Sequence, residues 1–438
     1  RDYEGLRPYV DRIIEGEHDV LWPGQPRYLA KTSGTTSGAK HIPITQDSIP
    51  NHIRGARNAL LHYIEDTGNT SFLQRHMIFL SGNPALEQKN GILTGRLSGI
   101  VNHHVPSYLQ RNQVPTYATN CLEDWEAKIE AIIDETLNAN MSLISGIPPW
   151  VQTYFDRLRA RTGKPVAETF PEFSVLVHGG VNFAPYQERM MASIGKSVDT
   201  IETFPASEGF FAFQDTQQEE GMRLVINDGI FYEFVPLEEI HQAAPTRLTI
   251  EEVETERHYA LIVSNNAGLW AYNVGDTVKF ISKYPHRVVV TGRVKHFISA
   301  FGEHVIAEEV EHAVQEAARA AGAQIAEFTV APNITPAEGL PHHEWYVEFA
   351  EEPDNLETFR QALDAAMCRQ NIYYQDLIRS GILERLHIRK IRPSGFHAYM
   401  KAQGKLGGQN KPPHLANDRH MADELEHFLA SASQAYFP

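Results

Sequence analysis

The stretch TSGTTSGAK, Thr32 to Lys40, packs five hydroxyl side chains and two glycines ahead of a lysine into nine residues. Such a run suits a polyphosphate. Glycines let backbone N–H groups turn inward around anionic oxygens, hydroxyls add short donors, and the lysine adds positive charge. Ser33, Gly34, Thr35, Thr36, Ser37, Gly38 and Lys40 are therefore candidate nucleotide contacts. A flexible polar linker has the same composition. A Walker-type loop does not fit, because Ala39 separates Gly38 from Lys40 and His41 stands where the magnesium-binding Ser or Thr would follow. The loop thus points to a nucleotide enzyme of another class, and the rest of the chain has to say which.

With 438 residues, the chain is too long for one ordinary core, and two or three domains are expected. Its formal charge of −16 carries no long acidic or basic run, which argues against a nucleic-acid groove or an anionic membrane surface as main partner. Cys121 and Cys368 lie far apart and outside any CxxC spacing, so neither a disulfide framework nor a cysteine zinc site is expected. A cytoplasmic location fits that usage. No apolar run approaches membrane-spanning length, and the start at Arg1 lacks a signal-peptide pattern, although the missing initiator methionine leaves room for preceding residues. Oligomeric state is not legible.

Periodicity predicts an Asp124-capped helix with Trp125, Ile129, Ile132, Ile133 and Leu137 on one face, then a strand over Met141 to Ile144. A helix from Pro148 to Arg161, a strand from Ser174 to His178 and a helix from Pro185 to Ile194 follow, an alternation that implies α/β layering. From Phe210 to Thr291 the pattern changes to short β runs: Arg223 to Ile226, Ile230 to Val235, Ala260 to Val263, Val278 to Ile281 and Arg287 to Thr291. A β-rich subdomain is expected there. Beyond Arg293 the order becomes βαββαβ, with helices from Glu303 to Ala320 and from Leu356 to Arg369, which describes a compact two-layer α+β unit.

Three further segments carry chemistry. TFPASEG, Thr203 to Gly209, places a ring (Phe204) to cover a flat base, a hydroxyl (Ser207) to meet a phosphate and a carboxylate (Glu208) to hold Mg²⁺. A strand ending in a turn would look the same. YNVGDTVKF, Tyr272 to Phe280, is expected to turn at Gly275 and present Asp276, whose carboxylate can accept both ribose hydroxyls; an ordinary Gly-Asp hairpin is the plainer account. In the run from Thr291 to Val314, Arg293 can reach a ribose or phosphate and the next two residues can act as a pivot, unless this is a surface loop capped onto the following helix.

Taken together, the order of these four segments resembles the adenylate-forming superfamily. SGTTSG at Ser33 to Gly38, FPASE at Phe204 to Glu208 and YNVGD at Tyr272 to Asp276 are most similar to the three nucleotide motifs of the Gretchen Hagen family of acyl acid amido synthetases, the auxin-responsive plant enzymes and their bacterial relatives. HGGVNF at His178 to Phe183 and GGQNKPP at Gly407 to Pro413 extend the resemblance over essentially the whole chain. It implies an α/β fold with a large multi-layer N-terminal adenylation domain over residues 1–292, its β-rich part at about 210–292, and a small, mobile α+β domain over residues 293–438. It also implies ATP- and Mg²⁺-dependent conversion of a small carboxylic acid to an acyl-adenylate, then transfer to an amine, commonly of an amino acid. The first loop would hold the β- and γ-phosphates; Gly180, Val181 and Phe204 would meet the nucleotide, with Phe204 on adenine. Glu208 would bind Mg²⁺, Asp276 the ribose, and Lys411 would reach the α-phosphate. Lys295 stands where related enzymes pivot. Pro205, Ala206 and Asn273 depart from the common plant form of the motifs.

The chemistry agrees with that implication. Bringing a carboxylate onto the α-phosphorus joins two anions, so Lys40, Lys411 and Mg²⁺ have charge to neutralise, while no general base is required. No Ser-His-Asp signature or G-x-S-x-G elbow is evident. His103-His104 and His342-His343, read as strand neighbours, point to opposite faces and do not converge on one metal. His178 can line the nucleotide edge or be a satisfied buried histidine. Arg96 in LTGRLSG can pair with a substrate carboxylate, although a structural salt bridge is the plainer reading of an isolated arginine. The competing functions are an acyl-CoA ligase using the same adenylate, and a catalytically silent binding protein on the same fold.

Overall fold

The computed structural model describes residues 1–32, 40–180, 183–240, 242–294, 297–298, 300–301, 303, 305–403, 412–416 and 418–430. They divide into two compact units, Arg1–Thr32 with Lys40–Val294, and Lys295–Pro438. Strands are numbered in chain order: β1 (Tyr28–Thr32), β2 (Lys40–Ile44), β3 (His76–Phe79), β4 (Glu87–Lys89), β5 (Ile92–Gly95), β6 (Gln113–Val114), β7 (Met141–Ser145), β8 (Val175–Gly179), β9 (Asp199–Ala206), β10 (Gly209–Phe213), β11 (Met222–Leu224), β12 (Ile230–Pro236), β13 (His258–Asn265), β14 (Tyr272–Lys283) and β15 (His286–Arg293). The second unit adds β16 (Phe297–Ile298), β17 (Val305–Ile306), β18 (Gln324–Asn333), β19 (His342–Glu351) and β20 (His387–Ile391).

The first unit is built on an eleven-stranded sheet ordered β12-β13-β14-β15-β11-β10-β9-β8-β7-β3-β6. Strands β6, β3, β7, β8 and β9 are parallel, and the rest of the sheet is antiparallel. Parallel strands need both faces covered. Met77, Leu143, Val175 and Ile201 pack against Ala59 and Tyr63 of the helix Ile49–Thr67, while their neighbours Ile78, Ile144 and Leu176 are buried on the opposite face. The predicted β-rich part is thus the antiparallel half of the same sheet. Around it a hydrophobic core gathers Phe204, Phe211, Tyr232, Phe234, Tyr259, Tyr272 and Phe280. A second sheet, β2-β1-β5-β4, joins the same core through Tyr28, Ile42 and Ile44.

Local rules place the helices. Asp124 Oδ1 accepts the Ala127 N–H at 2.7 Å and starts the helix Trp125–Thr136, and the helix Pro148–Thr162 opens on proline and ends at left-handed Gly163. Three expectations need correction. YNVGD does not sit at a hairpin turn: β14 runs unbroken through it, with Gly275 at φ +91° where the pairing with β13 shifts register between Ala260 and Ile262. A bulge takes up the extra residues without ending the strand. Glu303 does not begin a helix; it is fully buried, and the helix Ala307–Ala320 starts only after β17. His103 and His104 follow the helix Leu97–Asn102 instead of lying on a strand, and they contact the Pro84 carbonyl and the Tyr28 hydroxyl.

In the second unit, β18 and β19 are antiparallel and β20 joins β19 in parallel. Alternation sorts β19 cleanly. His343 faces the buried Glu303 at 2.9 Å and Phe349 meets Phe359 of the helix Leu356–Gln370, while Tyr346 on the other face packs with Phe396, Tyr399 and Met421. Among the described residues no helix is long and apolar enough to cross a membrane, and both cysteines are free.

Candidate active site

The parallel strands β3, β7, β8 and β9 end on one edge of the sheet, the edge where open α/β sheets bind ligands. Two predicted segments meet there. Gly179 is the Cα partner of Thr203, whose hydroxyl donates to the His178 carbonyl at 3.0 Å; a Cβ on Gly179 would stand 2.3 Å from the Thr203 carbonyl oxygen. Only glycine lets the strands approach so closely, and Gly180 follows at φ +81°. His178 is buried and stacked on Phe183 at 4.0 Å, and burial pushes its pKa down to about 4. It is therefore a neutral ring at neutral pH, not a phosphate-binding cation.

TFPASEG occupies the end of β9 and the tight turn into β10. Ala206 pairs with Gly209, which leaves Ser207 and Glu208 as the two loop residues of a hairpin. Glu208 is half-buried there, and its backbone is fixed. The Glu208 carbonyl accepts from Asn265 Nδ2 at 2.7 Å, and the Asn265 Oδ1 in turn accepts the Ala267 and Leu269 N–H groups. Asn51, on the buried face of the helix Ile49–Thr67, brackets Phe210 by accepting its N–H at 2.7 Å and donating to its carbonyl at 3.3 Å. Phe204 is only 7% exposed and meets Phe211 edge-on at 5.1 Å, so it belongs to the buried core of the first unit.

Asp276 lies on β14, which neighbours the strand that carries Asn265. It is 6% exposed and is the Cα partner of Arg293 on β15. Asn273 accepts the Gly275 N–H through Oδ1 at 2.9 Å, and the Gly275 carbonyl accepts from Val294. Asn273, a departure from the common motif, therefore helps to form the bulge that presents Asp276. Lys40 begins β2 opposite Thr32, with Nζ 5.5 Å from the centroid of the Tyr3 ring. Arg96 precedes the helix Leu97–Asn102 and lies along Gly82, whose added Cβ would stand 3.2 Å from the arginine Cδ. Ser33 to Gly38, Val181, Lys295 and Lys411 lie outside the described residues.

Sequence reasoning missed Asn51 and Asn265. Each is a buried amide that holds the Glu208 hairpin in place, and the available signal was a polar residue at a buried helical position, Asn51 among Ile49, Ala59 and Tyr63.

Family models match three successive parts of the chain: the GH3 family N-terminal domain over residues 1–114, the GH3 family central domain over residues 223–293 and the GH3 family C-terminal domain over residues 308–420. The chain belongs to the GH3 family. A curated mouse relative, the GH3 domain-containing protein of Mus musculus, is 24% identical over 209 residues. That match covers 45% of this chain and 39% of the relative's length. The fold of the GH3 chain is similar to that of AtGH3.15 acyl acid amido synthetase in complex with 2,4-DB, with TM-score 0.57, 16% identity, and 98% and 87% of the two chains covered. It is similar as well to 2-hydroxyisobutyryl-CoA ligase in complex with 2-HIB-AMP and CoA, with TM-score 0.58, 12% identity, and 98% and 82% covered.

Proposed function

We propose that this GH3 chain is an ATP- and Mg²⁺-dependent ligase that activates a small carboxylic acid as its acyl-adenylate and passes the acyl group to an amine, that of an amino acid. The observation that carries the reading is the Glu208 hairpin. A half-buried glutamate stands on a two-residue turn at the carboxyl edge of the parallel strands, its backbone tied through Asn265 to the neighbour of the strand bearing Asp276. One protein carboxylate with the remaining positions left to phosphate and water is the usual protein share of a Mg²⁺ site that serves a nucleotide. The ion would neutralise charge on the phosphates when bound.

In the first half-reaction a substrate carboxylate oxygen bonds to the α-phosphorus, the bond to the β-phosphate breaks, and pyrophosphate leaves. In the second the amine nitrogen attacks the acyl carbon, loses a proton, and AMP departs. Glu208 holds the metal, Asp276 and Arg293 orient the ribose side, and the Ser33 to Gly38 loop with Lys40 holds the β- and γ-phosphates. Lys411 reaches the α-phosphate and Lys295 serves as pivot, both assigned by family resemblance.

Exchange of labelled pyrophosphate into ATP, followed across a panel of carboxylic acids, tests the first half. Glu208→Gln is expected to slow it by about 10²- to 10³-fold at limiting Mg²⁺. Wild-type exchange in that variant overturns the metal role, and no exchange with any acid favours a silent binding protein. Acceptor-dependent AMP release tests the second half: stimulation by an amino-acid pool is expected, and stimulation by CoA alone makes the protein an acyl-CoA ligase.

A further inference from the structure

His342 opens β19, His387 opens β20 beside it, and Glu384 precedes His387 in the connecting loop. Ligand atoms of the three residues all lie within 4.8 Å of one another. None belongs to the motifs that carry the adenylation chemistry. His342 is 3% exposed, and its Nδ1 lies 2.9 Å from the Leu340 carbonyl, which cannot donate, so Nδ1 carries the proton of that contact. The lone pair of Nε2 is left over, and that atom has no hydrogen-bond partner among the described residues. Glu344 Oε1 faces it at 3.6 Å, an ion-pair distance that is too long for a hydrogen bond; that oxygen accepts from Asn333 at 3.3 Å, while Arg419 at 2.8 Å and the Tyr346 hydroxyl at 3.0 Å engage Oε2.

A buried ring that donates one N–H to a backbone carbonyl and keeps its other nitrogen without a hydrogen bond, beside a second imidazole and a carboxylate, has the outer-shell hydrogen bond of a metal-bound histidine. Alternation sends His343 to the other face of β19, so the ligands come from two strands and a loop instead of from the adjacent pair. The rings of His342 and His387 stack with centroids 3.8 Å apart, and Glu384 Oε1 lies 3.7 Å from His387 Nε2. Room for the carboxylate comes from Gly339, at φ +81°, where a Cβ would stand 2.6 Å from Glu384 Oε2.

We propose that His342, Glu384 and His387 form a structural site for Zn²⁺ that fastens the start of β20 to β19, with water as fourth ligand. Around a tetrahedral zinc, ligand atoms stand about 3.4 Å apart. Closing the remaining distance requires the half-exposed His387 ring to turn out of its stack on the fixed His342 and the half-exposed Glu384 carboxylate to leave the Leu340 N–H that it accepts at 3.2 Å. Borderline nitrogen ligands with one carboxylate suit zinc over Mg²⁺ or Ca²⁺, which prefer oxygen.

The test uses the full-length protein stripped with a chelator and titrated with Zn²⁺ by calorimetry, with thermal unfolding as a second readout. One equivalent per chain and a higher Tm are expected, together with at least tenfold weaker binding in His387→Gln and Glu384→Gln, since loss of even an outer-shell partner costs about 10- to 100-fold. Both variants alter half-exposed side chains and are chosen to keep the fold where the buried His342→Gln would not. His103→Gln leaves binding unchanged. Equal affinity in His387→Gln and Glu384→Gln, or no saturable equivalent in the wild type, overturns the site. Neither outcome bears on pyrophosphate exchange, which separates this proposal from the ligase reading.

Discussion

Glu208 and Asp276 are both carboxylates of nucleotide-type motifs, yet one is half-buried on a hairpin turn and the other 6% exposed within a strand. That difference suits the roles proposed for them. A metal ligand keeps room for phosphate and water around the ion, whereas a carboxylate meant to accept two hydroxyls benefits from being held still. Burial has another consequence at His52, which is 4% exposed on the helix Ile49–Thr67, whose Nδ1 has no hydrogen-bond partner among the described residues, and whose pKa desolvation pushes down to about 4. In the unfolded chain the ring takes a proton near pH 6.5, so between there and pH 4 the unfolded state binds more protons and stability falls as pH falls. From pH 7 to pH 5 this one residue should account for a loss of about 2 kcal/mol. Denaturant unfolding of wild type and His52→Leu at both pH values checks it: the variant should lose less by that amount, and parallel losses would refute the assignment.

At the scale of elements, the Glu208 hairpin depends on its fit to the helix Ile49–Thr67. Gly55 of that helix faces Phe210 so closely that an added Cβ would stand 2.3 Å from the ring Cδ1 and 2.9 Å from the Phe210 Cβ. Rotating the ring cannot relieve the second contact, so Gly55→Ala forces helix and β10 apart. Overpacking of this kind costs about 1–3 kcal/mol. A lowered Tm is expected, with pyrophosphate exchange impaired beyond what the stability change explains because Phe210 lies two residues from Glu208; an unchanged Tm would show that the packing yields without strain. Element identity was readable from periodicity and caps in the helices that follow Asp124 and Pro148. It failed at YNVGD, where a glycine signals a turn locally but a bulge once β13 and β15 bond both edges of the strand. It failed at Glu303 too, whose partner His343 is remote in sequence.

For the molecule as a whole, the parallel and antiparallel halves share one sheet, so motifs near residues 178, 204 and 276 are carried by a single rigid scaffold in the first unit. Lys411 belongs to the other unit's span, outside the described residues. Under the proposed function it serves only the first half-reaction, because a lysine parked on the α-phosphate would obstruct an acceptor that enters from that side. Lys411→Ala should abolish adenylate formation while leaving transfer from a supplied acyl-adenylate near wild type. Equal loss of both half-reactions, with circular dichroism unchanged, would count against that division.

The sequence by itself determined the α/β class and the helices that follow Asp124, Pro148, Phe183 and Asn355, because hydrophobic period and capping side chains act within a few positions of the chain. Tertiary structure alone decided which residues support the motifs. Asn265 reaches the Glu208 carbonyl across 57 positions and Asn51 reaches Phe210 across 159. His342 meets His387 and Glu384 only because β20 pairs with β19 in parallel. Hydrogen bonds and ligand sets of this kind follow strand order and register, and those are settled by how the whole core packs, not by any local pattern.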